Sequence, residues 1–358
     1  MSIYILYGIL LISIGAFMSG SFAIPFDKVK KWQWENLWLV YSLFGYIIVP
    51  LLVCLVFVPD LMKVLSTAPS KTLLLVFLLG MVYGAANLTF GLSLRYLGIA
   101  LGFALSLGLM MAIGTLVPPL IDGRLSILFQ GNGGIMLVAG IVVSLTGIVI
   151  SGYAGFLKSR KMETASGTDS ALDVEKGAKP QANSDFDIKK GVAAALFVGV
   201  TGSATALGLE QGIPIAKTSI ETGTNPLFQD SIIFLVLYSG SFITTLIWCL
   251  YLSFKNKTVG NFFRPAGSVL IFNYLFCALA GFLWYINYVF FGMGKAQMGN
   301  FSFVAWGILM TLTIVCATLW GLYRGEWKNV TTKIRLLMWV GLIILVFASF
   351  LIGISSSI

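Results

Sequence analysis

The chain has 358 residues, of which 58% are hydrophobic and only 10% charged, with a mean hydropathy of +0.93. A water-soluble domain carries roughly 25% charged residues, so this balance excludes an ordinary soluble enzyme or binding module. Histidine is absent, which excludes His-based acid–base catalysis and His-ligated metals, while the net charge of +9 comes from Lys and Arg scattered among short connections, a membrane pattern and not a nucleic-acid one.

Apolar stretches long enough to cross a bilayer are expected at 2–23, 37–58, 72–94, 97–121 and 134–156. They resume at 191–213, 230–254, 268–292, 299–323 and 334–356, giving an all-α polytopic protein of about ten transmembrane helices. The first stretch lacks a basic leader, so despite Ser21-x-Ala23 it is expected to remain as a spanning helix. Cys54, Cys249, Cys277 and Cys316 lie in apolar runs and form no C-x-x-C, so buried thiols are expected, with no cofactor or metal. Of the 23 Lys and Arg, 18 fall in or beside connections after odd-numbered helices and 5 after even-numbered ones. The positive-inside rule then places odd connections in the cytoplasm and both termini outside. Residues 157–190 hold seven basic and six acidic residues among Ser, Ala and Gly, and are expected to be a cytoplasmic linker. It divides the chain into 1–156 and 191–358, with five helices each.

An odd number of spans per half makes any internal repeat an inverted one. Phe90-Gly91 followed by Gly98 is matched by Phe291-Gly292 followed by Gly299, at a constant offset of 201. Ser19-Gly20-Ser21 likewise parallels Thr201-Gly202-Ser203. The expected fold is two inverted five-helix repeats. In this the chain resembles the drug/metabolite transporter superfamily. Several ordered segments resemble the L-rhamnose–proton symporter family more specifically: Pro25-Phe26-x-Lys28-Val29-Lys30-Lys31-Trp32-x-Trp34-Glu35-x-x-Trp38, Asn87-x-x-x-Gly91-Leu92-x-x-Arg95-Tyr96-Leu97-Gly98, Gly281-x-Leu283-Trp284-Tyr285, Gly294-x-Ala296 and Glu326-Trp327-x-Asn329. The resemblance implies proton-driven uptake of L-rhamnose or a similar deoxy sugar through a bacterial inner membrane. The expected partners are sugar, protons and the lipid bilayer, with no nucleic acid. The long charged linker departs from the family pattern.

A sugar site within a membrane needs amides and hydroxyls for the sugar's OH groups and aromatic faces for its C–H surface. Trp284, Asn287 and Tyr288 share one helical face at i, i+3 and i+4, and read either as such a site or as an interfacial aromatic belt. Asn87 reads either as a sugar ligand or as a bridge between helices. Proton coupling needs a titratable group inside a span, and Glu210, followed by Gln211, has no basic residue within a turn. The alternative reading makes Glu210 a solvated acid near the outer surface. Asp27 sits among Lys28, Lys30 and Lys31 as an interfacial loop acid, and Lys28 to Trp38 reads as a headgroup anchor. Arg95 is expected to snorkel to the same surface, with a gating salt bridge as the alternative.

Three competing functions would each leave a mark in the sequence. An exporter or exchanger of drugs or metabolites is disfavoured because small proton-driven exporters use a carboxylate in helix 1, and 2–23 holds none. An intramembrane enzyme would need a Ser–Lys, Asp–Asp or metal-ligand cluster in the spans, and none is visible. A sensor would be favoured by a signalling domain, where this chain has only a linker.

The charge asymmetry generates a topology prediction. A cytoplasm-sensitive reporter inserted in 157–190 is expected to be active, and one fused after Ile358 inactive. Activity at Ile358 would mean that the charge rule fails or that the spans are miscounted.

Overall fold

The computed structural model describes residues 3–97, 99–121, 123, 131–166, 188–264, 267–299, 302, 304–328 and 330–355. Among them the regular structure is helical throughout. The first span is α1 (Ile3–Ser21), and the second joins α2 (Trp34–Leu43), a π-helical turn (Phe44–Ile48) and α3 (Val49–Phe57). The short α4 (Leu61–Thr67) leads into α5 (Ser70–Leu97), α6 (Ile99–Ile121) and α7 (Gly131–Ser166). The sixth span is built from α8 (Ile188–Gly202), α9 (Ala204–Gln211) and α10 (Ile213–Glu221). Four long helices follow: α11 (Ser231–Lys255), α12 (Ser268–Ala296), α13 (Val304–Tyr323) and α14 (Thr332–Ser355). Nine described segments are long and apolar enough to cross a membrane, and α6 adds the shorter apolar stretch Leu105–Pro118. The expected ten elements are therefore all present as helices.

Two spans are interrupted, each for a covalent reason. Pro50 has no N–H to offer the Tyr46 carbonyl, so the chain widens, and the Val49 amide bonds to the Phe44 carbonyl five residues back. In the sixth span, Gly202-Ser203 and Gly212-Ile213-Pro214 supply poor helix formers at both breaks. One boundary differs from expectation. Leu157 to Ser166 contains neither Pro nor Gly, and α7 runs through this part of the expected linker before Gly167. The rest of that linker, 167–187, lies outside the described residues, as do Gly98, Asn329 and the side chain of Arg95.

Lipid offers helices no hydrophobic reason to associate, so packing relies on close backbone approach. At the α5–α11 contact a Cβ on Gly80 would overlap the Leu237 carbonyl, and one on Gly240 would overlap the Phe77 carbonyl. At α1–α12 a Cβ on Gly8 would stand 2.8 Å from the Gly294 carbonyl oxygen. Further pairs join α7 to α14, α5 to α8, α6 to α7 and α8, and α1 to α13. Around the outside, Leu55, Val56, Val149, Ile247, Ile343 and Phe347 are exposed. Such a surface suits hydrocarbon and would aggregate in water.

The odd-numbered connections meet at one end. Arg324 pairs with Asp27 at 2.6 Å, Lys158 with Glu326 at 2.9 Å, and the Trp32 indole donates to the Arg264 carbonyl at 3.1 Å. Asp27 is thus salt-bridged to a second connection as well as neighbouring its own lysines. Trp32 is buried against Tyr274 and Phe262, so within the expected headgroup anchor it is Trp34 that stands exposed. At the opposite end α4 packs on α10, and Phe57 stacks on Phe228 at 3.9 Å. Connections that alternate between two ends are what successive crossings require.

The tight α5–α11 contact can be tested by overpacking. Gly240→Leu should lower the thermal midpoint in detergent, with about 1–3 kcal/mol of lost stability. Gly260→Ala, where a Cβ meets open space, should leave the midpoint unchanged. A wild-type midpoint for Gly240→Leu would show that these helices do not touch as described.

Candidate functional site

Two antiparallel helices organise the interior. From α12, Trp284, Tyr288, Phe291 and Lys295 recur every three or four residues and form one stripe. From α11, Tyr238, Phe234 and Asp230 oppose it at intervals of four. Trp284 lies 4.7 Å from Tyr238 between ring centroids, Tyr288 lies 5.0 Å from Phe234, and Phe291 lies 6.3 Å from Phe234. The ladder ends in a charge pair, Lys295 Nζ to Asp230 Oδ2, at 3.2 Å.

The π-helical turn sends Tyr46 into the aromatic end of this ladder, 4.7 Å from Trp284 and 5.7 Å from Tyr238. Asn87 on α5 donates its side-chain amide to the Tyr46 hydroxyl, so here it bridges two helices. Of the residues singled out in the sequence, Trp284 and Tyr288 join this cluster directly and Asn87 joins through Tyr46. Trp284 and Tyr288 are both buried, an interior position that does not fit an interfacial belt. Asn287 is buried too, with its side-chain amide donated to the Trp284 carbonyl. The Asn287 Oδ1 is buried with no hydrogen-bond partner among the described residues, and the hydroxyls of Tyr238 and Tyr83 gather on that of Tyr288. Aromatic faces beside an unmatched acceptor and a cluster of hydroxyls suit a polyhydroxylated ligand.

One ladder step further, a small cavity of about 10 Å³, room for about one water molecule, is lined by Glu210, Lys295, Phe291, Trp306, Gly114 and Ser302, among others. Lys295 Nζ stands 4.0 Å from Glu210 Oε1 as well as 3.2 Å from Asp230. Glu210 and Lys295 are each 8% exposed and Asp230 5%, so the picture of Glu210 as a solvated surface acid does not hold. Two of the three charges have local support: Asp230 stands at the N-cap position of α11 and Lys295 occupies the last turn of α12, where the helix dipoles favour an anion and a cation respectively. Trp306 meets Phe291 edge-on at 6.0 Å. Gln211 is half-buried at the end of α9 and does not line this cavity. Among the described residues no His, Cys, Asp and Glu group has a metal-binding arrangement.

Asp230 and Lys295 were not singled out in the sequence, because both sit at the edges of expected spans. The available signal was Lys295 itself, the single basic residue between the eighth and ninth helices, inside Gly294-x-Ala296. Tyr46 and Tyr238 lie in apolar runs with no motif or spacing that marks them.

At the end opposite the charged cluster the same helices are clasped together. Glu35, 4% exposed at the start of α2, accepts from the Thr258 hydroxyl at 2.7 Å and from Asn256 at 3.1 Å, both just beyond α11. Asn36 donates to the Thr258 carbonyl at 3.1 Å and accepts from Asn261 at 3.2 Å. Asn273 on α12 exchanges two bonds with the Lys30 backbone, at 3.0 and 2.8 Å. A buried carboxylate held by neutral donors closes this end of the helix group.

Comparison with known proteins gives a consistent picture. The family described as L-rhamnose-proton symport protein (RhaT) matches residues 1–357. Proteins named "L-rhamnose-proton symporter" from Yersinia pestis (strain Pestoides F) and Yersinia pseudotuberculosis serotype O:3 (strain YPIII) are each 31% identical over 352 residues. The match covers 98% of this chain and 97% of each relative.

The clasp generates a stability prediction. Thr258→Val removes the shorter of two donors to Glu35 and should cost about 1–3 kcal/mol, read as a lowered thermal midpoint in detergent. Unchanged stability would show that this network does not hold the end together.

Proposed function

The chain belongs to the L-rhamnose-proton symport protein family, and from that membership we propose that it imports L-rhamnose with a proton across a bacterial inner membrane by alternating access. It is a transporter and not an enzyme. The observation that carries the residue-level reading is the ladder. An aromatic cluster and the Asp230–Lys295 charge pair stand on the same pair of helices, with Tyr238 and Asp230 eight residues apart and Glu210 reaching the pair from α9. Eight residues of helix span about 12 Å.

In this reading the sugar stacks on Trp284 and Tyr288, while Asn87, Asn287 and the Tyr238 hydroxyl answer its OH groups. Glu210 carries the proton, beside Gln211. Charging a sealed interior is costly, so the carrier reorients when proton and sugar are both bound or both absent. Odd-numbered connections face the cytoplasm and both termini lie outside, so the Glu35 clasp is the inner closure.

The halves 1–156 and 191–358, joined by the 157–190 linker, form inverted repeats of the drug/metabolite transporter type. The packing pairs support this. The pairing of α5 with α8 is answered by α12 with α1, that of α6 with α8 by α13 with α1, and that of α6 with α7 by α13 with α14. Each pair exchanges every span with the one five places along. Rocking of such halves about a site between them is the usual route to alternating access.

The test uses protein in proteoliposomes with radiolabelled L-rhamnose. Glu210→Gln should exchange sugar across the membrane at equilibrium but fail to accumulate it against a gradient. Trp284→Ala should weaken sugar binding about 5- to 150-fold, equivalent to about 1–3 kcal/mol. Protonophore-sensitive accumulation by Glu210→Gln at the wild-type level would remove Glu210 from the coupling role.

A further inference from the structure

The aromatic cluster is built from matched residues of the two halves. The offset of 201 that carries Phe90-Gly91 onto Phe291-Gly292 also carries Gly80 onto Gly281, Tyr83 onto Trp284 and Asn87 onto Tyr288. These positions make equivalent contacts. Gly80 of the first half lets α5 cross α11 of the second, at the Leu237 carbonyl. Gly281 of the second half lets α12 cross the second span of the first, where a Cβ would stand 2.7 Å from the Gly45 nitrogen. Three residues beyond each glycine, a ring meets a tyrosine of the opposite half: Tyr83 lies 5.9 Å from Tyr238, and Trp284 lies 4.7 Å from Tyr46. Seven residues beyond, a polar group meets a tyrosine of its own half: Asn87 donates to the Tyr46 hydroxyl, and the Tyr288 hydroxyl is met by that of Tyr238. Tyr46 and Tyr238 themselves stack at 5.7 Å, with their planes 20° apart.

The pairs match in position but not in chemistry. Where Trp284 offers a broad ring face, Tyr83 offers a hydroxyl, and both are buried. A sugar is unsymmetrical in the same sense, with C–H surface on its faces and OH groups around its rim. We infer that Tyr83 is a further sugar-binding residue: its hydroxyl, which here rests on that of Tyr288, bonds to one OH group of the sugar across from the Trp284 ring. This rests on the reading of the chain as an L-rhamnose carrier. A carrier whose halves rock about a central ligand needs contacts to it from both. Trp284, Asn287, Tyr288 and Tyr238 all come from the second half, so Tyr83 joins Asn87 in supplying the share of the first.

The test measures equilibrium binding to the full chain in detergent, for L-rhamnose and for derivatives of it that each lack one OH group. Tyr83→Phe removes the hydroxyl and keeps the ring, and should weaken L-rhamnose binding about 5- to 150-fold. The same loss should recur with every derivative but one. It should vanish with the derivative that lacks the OH group Tyr83 meets, because there the two deletions remove a single interaction. A merely structural role would weaken all of these sugars by the same factor. That result, or wild-type affinity for L-rhamnose in Tyr83→Phe, overturns the inference. A wild-type chain that does not bind L-rhamnose would instead overturn the carrier reading, and the inference with it.

Discussion

Charge inside a hydrocarbon layer has to be balanced locally, because neither lipid nor packed side chains can screen it. At the junction of α9, α11 and α12 the Lys295 ammonium is set against two carboxylates, Asp230 and Glu210. Its position follows from helix ends. Asp230 begins one helix and Lys295 closes another, so each lies where a backbone dipole favours its sign. Glu210 is the member with the longest contact to the ammonium, and the sixth span is broken on both sides of the short segment carrying it. The cluster tops a ladder of rings, so a change in its charge bears on the helix pair that also carries the aromatic cluster.

Irregular backbone appears where the proposed chemistry is. The π-helical turn forced by Pro50 places Tyr46 against Trp284 and Tyr238, and Asn87 secures it from α5. The breaks at Ser203 and Gly212 isolate the segment that carries Glu210. Discontinuous helices are tolerated in membranes where they line a protein interior, and ligand sites of secondary transporters collect there. Elsewhere the helices are continuous and lie close, with Gly80 and Gly240 allowing backbone contact between α5 and α11. A rigid frame with two local irregularities suits a carrier whose halves move while its site is preserved.

The fold was largely legible in the sequence because bilayer thickness fixes helix length and apolar runs report it directly. The grouping of odd connections was also legible, and Asp27–Arg324 and Lys158–Glu326 bring those connections together in space. Trp284, Asn287 and Tyr288 were found from spacing on one helix, which periodicity can show. Asp230 and Lys295 were hidden because their significance depends on contact between residues 65 positions apart, at the borders of apolar windows. Tyr46 was hidden because a π turn changes which face a side chain takes, and only Pro50 four residues later hints at it. Glu35 was read within a surface anchor, but α2 begins at Trp34 and draws it inside.

The central claim is that sugar and proton cross together. Its most direct measurement uses purified protein in proteoliposomes loaded with a pH-sensitive dye and held without an imposed gradient. External L-rhamnose should acidify the lumen, and a protonophore should abolish the signal. Sugar entry at the normal rate with no change in luminal pH would contradict the account.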